Sequence, residues 1–177
     1  MVILGIDPGT AATGWGVVRV DGNRLSSLGC GCITTAPQDA TAVRLHRIHH
    51  ELDVLLRRFR PEVVAVEDLF VNVNVKTALT VGHARGVILL AAAQRGIECV
   101  DYSPLAIKQA VTGYGRASKV QVQEMTKVLL ALDRIPQSDH AADALAVAIT
   151  HAHMARGGPQ AAEAKEHELR RRVARGR

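Results

Sequence analysis

Two of the most apolar stretches of this chain each stop on a carboxylate. Residues 2–7, Val-Ile-Leu-Gly-Ile-Asp, read as a buried strand that Pro8-Gly9 breaks into a turn just after Asp7. Residues 62–67, Glu-Val-Val-Ala-Val-Glu, repeat the pattern and end on Glu67. A carboxylate on a buried strand is costly unless a cation, backbone N–H groups or a metal answers its charge. If the two strands are sheet neighbours, both carboxylates emerge at one end of the sheet.

The rest of the chain supplies such a sheet. Residues 13–20 and 24–35 read as strands joined by the hairpin turn Asp21-Gly22-Asn23, so the chain opens with a three-stranded antiparallel meander. Residues 39–58 set Val43, Leu45, Ile48, Leu52, Leu55 and Leu56 at helical spacing before Pro61 stops the helix. A helix over 74–95 and a fifth strand over 97–102 follow, then helices near 104–111, 118–132 and 139–156. Strands reached through helical crossovers run parallel. The expected fold is therefore α/β, a mixed five-stranded sheet with helices on both faces.

Residues 1–156 are long enough for one domain with a full core. The remainder, 157–177, is rich in Ala, Glu and Arg without an apolar face and reads as a basic, disordered or weakly helical tail. From Arg156 onward seven Lys/Arg face three Glu, which accounts for +4 of the net charge of +5. The body is close to neutral, so any nucleic-acid footprint on it must be local. No apolar run reaches the ~18 residues of a membrane span. The first residues show no basic region or cleavage site, and the expected compartment is the cytoplasm. Cys30, Cys32 and Cys99 are odd in number and read as free buried thiols.

A third acidic group opens the last helix: Ser138-Asp139-His140-Ala-Ala-Asp143. His140 and Asp143 are three apart and project from one face. Each acid alone has an ordinary reading, as a turn residue, a helix cap or a solvated strand end. Together, two acid-tipped strands and a helix offering His and Asp resemble a metal site, and oxygen-rich donors suit Mg²⁺ or Mn²⁺.

Four segments carry a resemblance: Ile6-Asp7-Pro8-Gly9, Val66-Glu67-Asp68-Leu69-Phe70, Gly82-His-Ala-Arg85-Gly86 and Asp139-His-Ala-Ala-Asp143-Ala-Leu-Ala-Val-Ala-Ile. In this order and spacing, over about residues 1–155, they resemble the RuvC family of Holliday-junction resolvases. The resemblance implies an RNase H-like fold, a homodimer, and metal-dependent nicking of two opposed strands of a four-way junction. It implies 5′-phosphate, ligatable ends and a branch-migration motor as partner. It also implies Asp7, Glu67 and Asp143 as metal-binding carboxylates. The family's fourth position is often Asp and here is His140, expected to be the fourth ligand or to orient the water. Asp139, about 100° farther round the helix, is expected to be an N-cap or to support the ligands. One imidazole among carboxylates tilts the expected preference from Mg²⁺ toward Mn²⁺.

Phe70 stands in a polar loop, where it could anchor the core or stack on an unpaired base; the family pattern favours stacking. Gly113 and Gly115 allow close backbone approach, Ser118 caps a helix, and Arg116 and Lys119 put two positive charges at its N-terminus, which together suggest a phosphate site. Lys108 and Lys119 match family positions implied in DNA contact or catalysis; Lys76 and Arg85 are weaker candidates. Ala78, Gly82 and Gly86 form a small-residue ridge on the helix over 74–95, which the family resemblance turns into a dimer interface.

Three other functions compete. The Gly-Ile-Asp-x-Gly-Thr opening also occurs in sugar-kinase and actin-like ATPases, but those need two domains to clamp ATP. A non-catalytic junction- or RNA-binding module would have little use for three intact carboxylates. An RNase H-like nuclease acting on RNA or hybrids would lack a reason for Phe70 and Lys119.

Overall fold

The computed structural model describes residues 1–68 and 75–155, with no side-chain detail for 75–77. The elements are β1 (Val2–Asp7), β2 (Ala12–Asp21), β3 (Arg24–Thr34), α1 (Thr41–Phe59), β4 (Val63–Glu67), α2 (Val75–Ala93), β5 (Glu98–Tyr102), α3 (Pro104–Thr112), α4 (Lys119–Leu129) and α5 (Asp139–Ala155). Each element expected from the sequence is present, with ends shifted by up to three residues. The largest shift is in α4, which stops at Leu129 because Ala131 takes a left-handed conformation with φ of 49°. Phe70 and the tail 157–177 lie outside the described residues. Among the described residues no helix is long and apolar enough to cross a membrane.

The five strands form one sheet in the order β3-β2-β1-β4-β5. The β1–β2 and β2–β3 pairs are antiparallel, and β1–β4 and β4–β5 are parallel. This is the mixed sheet the sequence predicts.

Strand alternation divides the core into two layers. Leu4, Ile6, Val17, Val64 and Val66 face α1 and α2, where Ile48, Leu52, Leu55, Leu56 and Ile88 cover them. Ile3, Val18, Val63 and Ala65 face α5, together with residues of α3 and α4. Val43 departs from the expected core stripe of α1: it is exposed, as is Val54. The three cysteines are free thiols, but each is partly exposed rather than buried.

α5 lies directly on the sheet because glycines leave room for it. A Cβ on Gly5 would fall on the carbonyl oxygen of Ala144, and one on Gly14 would fall on that of His140. α5 answers with Ala141, Ala142, Ala144, Ala146 and Ala148, all buried. Glycine on the strands and alanine on the helix bring helix backbone close to strand backbone, which fixes how far the first turn of α5 reaches toward the sheet end.

Candidate active site

Asp7 and Glu67 are brought together by register. The β1–β4 ladder pairs Gly5 with Ala65 and Ile6 with Val66, so the next step places Asp7 beside Glu67. Both continue the series that faces α5: Ile3, Gly5, Asp7 on one strand and Val63, Ala65, Glu67 on the other. The first turn of α5 passes over the same sheet end and adds His140 and Asp143.

His140 Nδ1 is 2.7 Å from Asp7 Oδ2. With Asp7 ionised, Nδ1 must carry the donated proton, which leaves the ring lone pair on Nε2. Lys119, the first residue of α4, sets Nζ 3.0 Å from Asp143 Oδ2 and 3.2 Å from Asp139 Oδ2. Asp139 Oδ1 accepts a hydrogen bond from Gln123 Nε2 at 3.0 Å. Ser138, not Asp139, caps α5: its Oγ accepts from the Ala141 N–H at 3.4 Å. Of the two roles expected of Asp139, Ser138 takes the cap, and Asp139 instead contacts α4, where it holds the Lys119 that also reaches Asp143.

The electrostatics mark the site as short of positive charge. Burial pushes the Glu67 carboxyl up to about 7, with the Asp7 and Asp143 charges adding to the shift and Lys119 and Lys108 opposing it. Burial also raises Asp7, against the hydrogen bond and charge of His140. Burial pulls Lys119 down, but its hydrogen bonds and charge pairing with Asp143 and Asp139 outweigh that, and its pKa is raised.

Among the described residues no three His, Cys, Asp or Glu side chains are gathered so as to hold an ion as they stand. The donor set nevertheless fits a hard divalent cation. Three carboxylates and an imidazole face one another across a partly buried sheet end; burial, with the Asp7 and Asp143 charges adding to it, keeps Glu67 protonated so far up the pH scale. Lys119 and His140 now sit on oxygens of Asp143 and Asp7 that an ion would take.

The other expected contacts divide. Lys108, on α3, is close enough to bear on Glu67. Arg116 is exposed in the loop before α4. The N-terminus of α4 is less open to a phosphate than expected, because a capping box takes two of its donors: Gln121 N–H bonds Ser118 Oγ, and Ser118 N–H bonds Gln121 Oε1. Arg85 is drawn elsewhere: its Nη2 lies 2.6 Å from Asp101 Oδ2, tying α2 to β5. Lys76 falls among the residues without side-chain detail. Cys32 is a neighbour the sequence reading missed. It pairs across the ladder with Gly14 and faces Ser138 and Asp7; only the period-2 register of β3 against β2 could have signalled it.

An antiparallel meander continued by two parallel strands, with acids converging where β1 and β4 end, defines an RNase H-like nuclease core. Comparison with known proteins narrows the class. The family model for crossover junction endodeoxyribonuclease RuvC matches residues 3–151. The RuvC proteins of Heliobacterium modesticaldum and Pelotomaculum thermopropionicum are 58% and 56% identical over 153 residues, which is 86% of this chain and 94% and 93% of theirs. The structure of Thermus thermophilus RuvC in complex with Holliday junction substrate superposes with a TM-score of 0.85 at 42% identity, covering 88% of this chain and 95% of that one. The chain belongs to the RuvC family of crossover junction endodeoxyribonucleases.

Proposed function

We propose that this protein resolves Holliday junctions by nicking two opposed strands symmetrically, with Asp7, Glu67, His140 and Asp143 as its catalytic set. The observation that carries the reading is the convergence of Asp7 and Glu67 from neighbouring parallel strands with His140 and Asp143 from α5. Family membership and the junction complex of the Thermus relative support the substrate.

Asp7, Glu67, Asp143 and Nε2 of His140 would hold Mg²⁺ or Mn²⁺, two ions per site. Bound there, the metal would supply Lewis acidity, making water a better nucleophile near neutral pH and shielding the leaving oxygen of a phosphodiester. The protein's own part is positional. Asp7 orients the His140 ring through Nδ1. Lys119 and Lys108 bring positive charge to the incoming phosphate, and Arg116 adds a contact farther along the strand. Phe70, three residues beyond Glu67, would stack on an unpaired base at the junction centre, and Lys76 and Arg85 would make outlying contacts.

A homodimer suits the substrate, because a junction has two symmetry-related scissile strands and a twofold pair offers two matching sites. α2 supports it. Ala84, Ile88, Ala91 and Ala92 pack into the core, yet the opposite face exposes Leu79 and Leu90. A Cβ on Gly82 or Gly86 would meet nothing within 4 Å among the described residues. A helix apolar on both faces is covered on both, and the second cover is a partner's α2. A branch-migration motor as partner, a cytoplasmic location and a separate basic tail over 157–177 complete the proposal.

The test is cleavage of a synthetic mobile four-way junction beside linear duplex and an RNA–DNA hybrid of the same sequence, in Mg²⁺ and Mn²⁺. Paired nicks in the junction alone, sealed by ligase without end repair, are expected. Cleavage of the hybrid at an equal rate would replace the resolvase reading with a general RNase H-like nuclease.

A further inference from the structure

Asp139 is not among the four proposed ligands, yet it grips the cation that leans on them. Lys119 Nζ is shared between Asp143 Oδ2 at 3.0 Å and Asp139 Oδ2 at 3.2 Å. Asp139 is itself held: its other oxygen accepts Gln123 Nε2 at 3.0 Å. Gln123 is only 9% exposed, so this anchor is built into the edge of the core. Lys119 and Gln123 are one turn apart on α4 and reach one carboxylate from one face.

The arrangement matters once Asp143 is given over to a divalent ion. Lys119 then loses an oxygen that it now contacts. A free ammonium would either swing into solvent or continue to compete for Asp143. Asp139 offers a second hold that no ligand role claims, at nearly the same distance and on the α4 side of the site. We propose that Asp139, locked by Gln123, is a positioning residue that retains Lys119 at the rim of the site and relieves Asp143 of it. Lys119 stays within reach of the scissile phosphate while Asp143 is released for the ion. The proposal rests on the reading of Asp143 as a ligand.

A consequence separates this role from simple loss of a negative charge. Without Asp139, Lys119 leans on Asp143 alone and opposes the ion more strongly. The effect of removing Asp139 on ion affinity must therefore depend on Lys119. Mn²⁺ is titrated calorimetrically into the full-length, DNA-free protein as wild type, Asp139→Asn, Lys119→Ala and the double variant. Asp139→Asn should weaken Mn²⁺ binding roughly tenfold when Lys119 is present and about twofold when it is absent. Gln123→Ala leaves every charge in place and should reproduce the dependence on Lys119 at smaller amplitude. On a four-way junction it should lower kcat with little change in KM. Melting curves identify variants that fail to fold, and Gln123→Asn then substitutes for Gln123→Ala. Equal loss of affinity with and without Lys119 overturns the inference and leaves the resolvase reading intact. No Mn²⁺ binding by the wild type would overturn both the inference and the reading of Asp143 as a ligand.

Discussion

Asp7 Oδ2 and His140 Nδ1 meet at 2.7 Å although 133 residues separate them in sequence. The contact closes the site between the first strand and the last helix. It exists because Gly14 allows the backbone of His140 to lie against β2. Position, not only residue type, makes the pair: Asp7 is one step past the end of a buried ladder, and His140 stands in the turn of α5 that crosses it.

Gly14→Ala should therefore disable the site at a distance from every ligand. The new Cβ would collide with the His140 carbonyl, and α5 would have to lift. Overpacking of this kind costs about 1–3 kcal/mol, which a thermal melt would show. Nicking should fall further than that loss of folded protein explains, by at least ~10²-fold. Wild-type nicking in a folded Gly14→Ala variant would disconnect the helix seat from the chemistry.

Gly82→Ala and Gly86→Ala should behave in the opposite way. Alanine meets nothing there among the described residues and is the better helix former by about 1 kcal/mol. The protomer should keep or gain stability while the dimer weakens. Sedimentation equilibrium of wild type and variants reads this directly, and unchanged association would move the interface off this face.

Glu67 gives a pH-dependent stability difference with a definite sign. Its folded pKa, about 7, lies above the unfolded value of 4.5. Its protonated form is the one the fold favours, so stability present at low pH is lost as pH rises through 7. Glu67→Gln in metal-free buffer should thus raise stability at pH 8 by about 2 kcal/mol after discounting for partial exposure, and the gain should shrink toward pH 5. A gain that grows at low pH would reverse the assignment.

His151 works the other way. Its Nδ1 lies 2.8 Å from the Tyr102 hydroxyl, and burial pushes its pKa below 6.5, with Glu98 pulling upward. The neutral ring is the stabilising form, so its contribution is complete above 6.5 and declines as pH falls through the lowered folded value. His151→Gln should flatten the fall in melting temperature between about pH 7 and pH 5. An unchanged slope would show that the imidazole stays neutral throughout or is not part of the core.

Much of this was legible in the sequence because its signals are local and redundant. Apolar strands that end on Asp7 and Glu67 survive any ambiguity in their neighbours, and the spacing of His140 and Asp143 fixes their shared face. Contacts that depend on depth or on competition were not legible. Nothing in Gly-Trp-Gly states that Gly14 seats a helix from the far end of the chain. Arg85 reads as a free cation until β5 places Asp101 beneath it, and Asp139 stays open between helix cap and support for the ligands until α4 presents Lys119 and Gln123. Ser138 takes the cap because its shorter side chain sits one position earlier, at the true start of α5.

The most direct test is the behaviour of Asp7→Asn on a mobile four-way junction, binding and nicking measured on the same preparation with Mn²⁺ and with Mg²⁺. Wild type should produce paired symmetric nicks, faster in Mn²⁺ at equal free concentration, and Asp7→Asn should bind the junction with comparable affinity but leave both strands intact. Nicking by Asp7→Asn at the wild-type rate would contradict a site built on the ends of β1 and β4.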